Sequence, residues 1–293
     1  MLKGRLGLET ARIPHGDRHG LLWLSRGNLY VEDGTLRFAT GGNADLGAGD
    51  YAIPFQLISC VLLAPGTTVT HDVLRLLARH GTGLVAVGDG GVRMYASMPF
   101  GPDSSQLART QITLWSDGLD SRVHVARRMY AMRMGEILPH ADLDVLRGIE
   151  GARVKESYRR IAEQYGLEWQ GRRYDRMDPE AADLANQAIN HAATAVEAAA
   201  MVAVSATGAL PQIGFIHEDS GLAFCLDIAD LYRDSVTLRV AFGSVRYVLD
   251  HPEALLERVV RKNAGRVFRS EKIISSMIDR IKELLSDDRR RGS

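Results

Sequence analysis

Met98–Ser105, MPFGPDSS, is where the chain changes its period. Two prolines, a glycine and short polar residues suit neither a strand ladder nor a helix interior. On either side the pattern differs. Upstream, LYVEDGTLRF holds two β-rich runs joined by Asp33-Gly34, a pair that tolerates positive φ and so predicts a hairpin. IPFQLISCVLLAPG is a continuous apolar run ending in Pro65-Gly66, which predicts a buried strand and a turn. TVTHDVLRLLARHG reads as a helix with Thr70 as a candidate N-cap and Gly81 as its stop. TGLVAV and VRMYAS read as strands around Gly88-Asp89-Gly90-Gly91. Downstream, segments 104–118, 119–136, 142–166 and 179–206 carry apolar residues three and four apart, the helical spacing. The last is rich in alanine and reads as the central buried helix. Two more helices fit 252–263 and 270–286. The fold class is α+β: a β-rich N-terminal domain at 1–97, a linker at 98–104, an all-α domain at 105–286 and a flexible charged tail at 287–293.

With 293 residues, two domains are the natural expectation, and 45% hydrophobic with 25% charged residues suits a chain that buries a core. Lys plus Arg and Asp plus Glu both total 36, so a basic surface must be local. It is found at the end: from Leu255 to Ser293 eleven basic residues face six acidic ones, with Arg261, Lys262, Arg266, Arg269 and Lys272 close together. Such a run can neutralise phosphates, or form a solvated helical face. Cys60 and Cys225 are far apart in apolar runs, against both a disulfide framework and a zinc ribbon. The first twenty residues hold no apolar h-region, and the stretch Ala192–Val204 is interrupted by Glu197 and short for a bilayer span, so a cytoplasmic protein is expected.

Three segments in the helical half could carry chemistry. In LRGIEGARV, Glu150 lies in a helical pattern between Gly148 and Gly151, each costing on the order of 1 kcal/mol relative to alanine. Close approach of a backbone or ligand beside the carboxylate would explain them, as would a helix break followed by an exposed glutamate. In IGFIHEDSG, His217 ends an apolar run, where an imidazole can ligate a metal, shuttle a proton or serve a structural role. In LAFCLDIADLYRD, a strand leading to a helix start would deliver Asp227 and Asp230, three apart, on one face. Two such acids repel unless a cation or shared proton lies between them. The alternative is an Asp N-cap with a second acid in the first turn. Together these residues make a hard-oxygen set with one imidazole, which suits Mg²⁺ or Mn²⁺. The glycines of VGDGGVR and ATGGNADLGAGD lack the context of a phosphate loop, and no GxSxG, HExxH or CxxC pattern supports covalent or zinc chemistry.

LAPGTTVTHDVLRLLARHG, GVRMYAS, LRGIEGARV, QGRRYD, DLANQAIN, IGFIH and DIADL, in this order across about residues 15–285, resemble the CRISPR-associated Cas-one family, most closely its type I-E branch. The resemblance implies a β-sandwich-like N-terminal domain and a helical catalytic domain. It implies Glu150, His217 and Asp230 as metal ligands, with Asp227 supporting catalysis beside them. It also implies an integrase that joins prespacer 3′-hydroxyls to a CRISPR repeat by transesterification and cleaves branched DNA. A homodimer is implied, two dimers being bridged by a dimer of the small Cas-two family protein on duplex DNA. Arg75 and Arg93 sit in family-like segments and join Arg261, Arg266 and Arg269 as candidates for the DNA backbone. Two features depart from the type I-E pattern. Arg26 stands before Gly27 where an aromatic residue is expected to cap the duplex, with Trp23 as an alternative, and Glu218-Asp219 put acid after His217. Two rivals remain on the residues alone: a non-catalytic DNA-binding scaffold, and a metal-dependent phosphohydrolase acting on small nucleotides.

Overall fold

A computed structural model describes residues 20–43, 46–97, 105–136, 138–139, 142–173 and 183–286. The expected linker at 98–104, the tail at 287–293 and the Tyr174-Asp175 end of QGRRYD lie outside these residues.

The N-terminal part is two four-stranded sheets. One has the order β4(Gly49–Ile53), β3(Thr35–Thr40), β2(Gly27–Glu32), β6(Thr67–Val69). The other has the order β1(Leu21–Leu24), β5(Cys60–Leu63), β7(Gly83–Val87), β8(Met94–Ser97). The Asp33-Gly34 hairpin forms as expected, joining β2 to β3 with φ of 48° and 75° at the turn. IPFQLISCVLL divides into a single 3-10 turn at Phe55–Leu57 and strand β5. Helix α1(His71–His80) ends at Gly81 in the left-handed region, φ 61°, but Thr70 makes no side-chain cap bond.

The apolar run in β5 has a physical reason. Val61, with Leu24 and Leu84, packs with Leu29, Leu36 and Phe38 of the other sheet and with Val73 and Leu77 of α1. Cys60 and Leu62, with Val85 and Val87, point to the opposite side and join the helical core. A sheet buried on both faces has no polar side to alternate with. Trp23 is partly buried against that same helical core, beside Gly91, and Arg26 is exposed, at φ 56°.

The helical part follows as α2(Gln106–Ser116), α3(Leu119–Met134), α4(Leu143–Gln164), α5(Leu184–Thr207), α6(Ala223–Asp230), a π-helical turn at Arg233–Thr237, α7(Leu238–Asp250), α8(Leu256–Ser270) and α9(Ile273–Leu284). Asp183 caps α5 by accepting the Asn186 amide at 2.8 Å. Its alanines let α6, α7, α8 and α9 approach it closely, which makes α5 the centre of the core, as expected. By length and composition alone α5 could cross a membrane, but 61% of its apolar window is buried inside the protein.

One expectation is corrected here. LAFCLD is not a strand leading to a helix start: Ala223–Asp230 is helix throughout, its N-cap is Leu222, and Asp227 lies in its second turn while Asp230 is its last residue. An apolar run buried on most sides does not reveal its period, so Phe224, Cys225, Ile228 and Ala229 fit either reading until the fold is known.

Candidate functional site

The His217 loop is built around a buried carboxylate. Asp227, 0% exposed on α6, accepts the backbone amides of Phe215 at 2.6 Å, Ile216 at 3.2 Å and His217 at 2.9 Å. It also bonds His217 Nδ1 at 2.7 Å. Three convergent N–H groups compensate the desolvation of that charge. Asp227 is thus neither an N-cap nor a group facing the cleft. It fixes His217, and with the carboxylate accepting from Nδ1 the Nε2 lone pair is left for the cleft. The bond to Asp227 raises the His217 pKa, against the opposing effect of burial.

The loop is clamped from its other side by arginines. Arg122 Nε donates to the Phe215 carbonyl at 3.0 Å and Arg147 to the Ile216 carbonyl at 2.7 Å. Both guanidiniums also pair with Glu218, holding its carboxyl below the usual range, Arg122 having the larger effect. This resolves the acid that follows His217: Glu218 is a counter-ion to the clamp. Gly214 opens the loop because a Cβ there would lie 2.3 Å from the His217 carbonyl oxygen.

Glu150 and Asp230 reach the same place from other elements. Both, with His217, line one open cavity of about 640 Å³ together with Arg147, Ser220 and Arg233. Glu150 is paired with Arg133 of α3, whose side chain is 4% exposed. Asp230 is paired with Arg233. The helix runs unbroken through Gly148 and Gly151, and a Cβ at either would meet nothing within 4 Å. Neither a helix break nor an approaching backbone explains these glycines; they leave bare surface beside Glu150, and Gly151 lines a second groove.

That groove, about 800 Å³, shares Arg233 with the cavity and is lined by Lys155, Arg159 and Arg172, with Tyr158 and Trp169 stacked at 5.1 Å between ring centres. Arg172 is anchored to Asn186 at 2.9 Å and Asn190 at 2.5 Å, both on α5.

Among the described residues no three His, Cys, Asp or Glu groups stand close enough to hold an ion. The carboxylates of Glu150 and Asp230 each face a guanidinium, an arrangement that Coulomb attraction favours. As a donor set they still fit one: two carboxylates and an imidazole with its second nitrogen already satisfied share a cavity wall.

The five arginines expected on DNA sit elsewhere. Arg75 pairs with Asp72, Arg93 and Arg261 with Glu257, Arg269 with Asp89 at 4.0 Å, and Arg266 donates to Asn263. None lines the cavity or the groove. The cations that do, Arg147, Lys155, Arg159, Arg172 and Arg233, were missed. Arg233 had a readable signal, three residues after Asp230 on one helical face; the others are brought in by tertiary packing.

The sequence and the α+β fold are matched among known proteins. Residues 128–252 match the family model described as CRISPR associated protein Cas1. A CRISPR-associated endonuclease Cas1 of Escherichia coli (strain K12) is 38% identical over 94% of this chain and 87% of its own length. One of Geobacter sulfurreducens is 34% identical over 94% and 87%. The crystal structure of a TtCas1–DNA complex aligns with a TM-score of 0.80 and 30% identity, covering 92% of this chain and 97% of that one. The chain belongs to the Cas1 family.

Proposed function

We propose that this protein is a metal-dependent DNA endonuclease and integrase that inserts prespacer DNA into a CRISPR array. The observation that carries the proposal is the cavity shared by Glu150, His217 and Asp230, which has Arg233 in common with a basic, aromatic groove. Relatives named as endonucleases and a structural neighbour solved with DNA support the same reading.

In this reading Glu150, His217 Nε2 and Asp230 hold Mg²⁺ or Mn²⁺. When bound, the ion withdraws charge from the phosphodiester and favours ionisation of the attacking 3′-hydroxyl. The rest is done by the chain. Asp227 keeps His217 in one tautomer and orientation. Arg147 and Arg233, on the cavity wall, neutralise the charge that accumulates on phosphoryl oxygens. The groove holds the strand leading to the cavity, its cations on phosphates and its aromatic pair available for base stacking. No side chain is required as a covalent nucleophile, because the incoming hydroxyl forms the new P–O bond as the old one breaks. The β-rich unit at 1–97 serves dimerisation, and Arg75, Arg93, Arg261, Arg266 and Arg269 remain candidates for duplex outside the cavity. A Cas-two family protein bridges two homodimers, in the cytoplasm and without a membrane partner.

The test is a strand-transfer assay with a short duplex, a supercoiled target bearing the cognate repeat, Mg²⁺ or Mn²⁺, and the small partner present or absent. Strand joining should require the metal and vanish in Glu150→Ala and Asp230→Ala while DNA binding persists. A scaffold would show no joining in the parent protein either, and a small-nucleotide phosphohydrolase would be inhibited by nucleotides rather than by duplex DNA.

A further inference from the structure

Glu150 sits where little should hold it still. The helix surface beside it is bare at Gly148 and Gly151, and a glutamate side chain loses up to roughly 2 kcal/mol of rotamer entropy when fixed. What fixes it is Arg133. That guanidinium is 4% exposed, touches Glu150 through Nη1, and donates through Nη2 to Asp234 at 3.4 Å. Asp234 in turn accepts from Ser157 Oγ at 2.9 Å. The network closes on itself: Glu150 and Ser157 are both on α4, Arg133 is on α3, and Asp234 is in the π-helical turn that follows Asp230. Such turns are rare and often lie at functional sites, and this one brings an acid toward α4 in the residue right after Arg233, which pairs with Asp230.

From this geometry we infer that Arg133 is a positioning residue that aims the Glu150 carboxylate into the cavity, anchored by Asp234 and Ser157. The inference rests on the reading of Glu150 as a metal ligand. Arg133 does not line the cavity, so it acts through Glu150 alone. The planar fork matters, because one guanidinium can bond two carboxylates in fixed directions and an ammonium cannot. Two anions also balance a cation that is almost wholly removed from water.

The test uses the full chain without DNA and measures Mn²⁺ affinity from the paramagnetic resonance signal of free Mn²⁺. Arg133→Lys and Asp234→Asn should each weaken Mn²⁺ binding by about 10–100-fold, the usual effect of losing an outer-shell partner. Duplex binding should be unchanged, and raised Mn²⁺ should restore strand joining. Asp234→Asn is near-isosteric, so it decides the question should Arg133→Lys fail to fold. If Glu150→Ala loses Mn²⁺ binding and Asp234→Asn keeps it within twofold of the parent, the positioning role is refuted. If Glu150→Ala itself binds Mn²⁺ like the parent, the ligand reading fails instead, and the inference with it.

Discussion

Asp227→Asn is the substitution whose cost the structure determines most fully. The carboxylate is buried, with Oδ2 accepting from the amides of Phe215 and Ile216 and Oδ1 from the amide and ring of His217. If Oδ2 becomes the NH₂ group, the amides of Phe215 and Ile216 both lose their acceptor. At about 1.5–3 kcal/mol for each bond to a charged group, the loss is on the order of 3–6 kcal/mol. That is a large part of the roughly 5–15 kcal/mol that holds a typical fold together. If the NH₂ faces the ring, His217 must accept at Nδ1, and its proton moves to Nε2, the nitrogen left for a metal. Urea unfolding followed by fluorescence measures the first effect, and Mn²⁺ binding the second. A loss below about 1 kcal/mol, with Mn²⁺ affinity intact, would refute the account of the His217 loop.

Other expectations follow from single features. Gly214→Ala forces a Cβ to within 2.3 Å of a backbone oxygen, so melting should fall by several degrees, and a variant as stable as the parent would contradict the loop geometry. Glu197 has its pKa raised, chiefly by burial on α5. A raised carboxyl contributes most while protonated, below the ordinary glutamate value of 4.5, and loses that contribution as pH rises through its folded value. Glu197→Gln should therefore melt higher than the parent at pH 7 and alike near pH 4, and the reverse order would overturn the assignment. Arg172→Ala should weaken single-stranded DNA binding and reduce the slope of log affinity against log salt by about one, an unchanged slope meaning that the groove does not carry DNA.

What could be read in advance depended on how local its cause was. The Asp33-Gly34 turn, the Gly81 stop of α1 and the alanine-rich α5 each follow from residues within a turn or two of one another. His217, Asp227 and Asp230 were legible for the same reason, lying within fourteen residues in a loop and the helix after it. Glu150 was singled out by its flanking glycines, although the helix does not break there. The division of labour between the aspartates was not legible, because spacing puts both on one helical face. Only the fold shows that Asp227 turns inward to three backbone amides while Asp230 meets the cavity. The arginines around the cavity were not legible. Charge density pointed to the C-terminal run, whereas the guanidiniums at the site come from α3, α4 and the segment after α6, and each was placed by packing that no short window contains. Arg133 is the extreme case: a buried cation near the end of α3, where a basic residue ordinarily faces solvent.

Glu150, His217 and Asp230 are proposed to bind one divalent cation. Anomalous scattering at the manganese edge from crystals soaked in Mn²⁺ tests it directly. The account predicts one strong peak in the cavity, within coordination distance of a carboxylate oxygen of Glu150, Nε2 of His217 and a carboxylate oxygen of Asp230, with the arginine pairs re-formed around it. A cavity without a peak at saturating Mn²⁺, or an ion held by other residues, would contradict it.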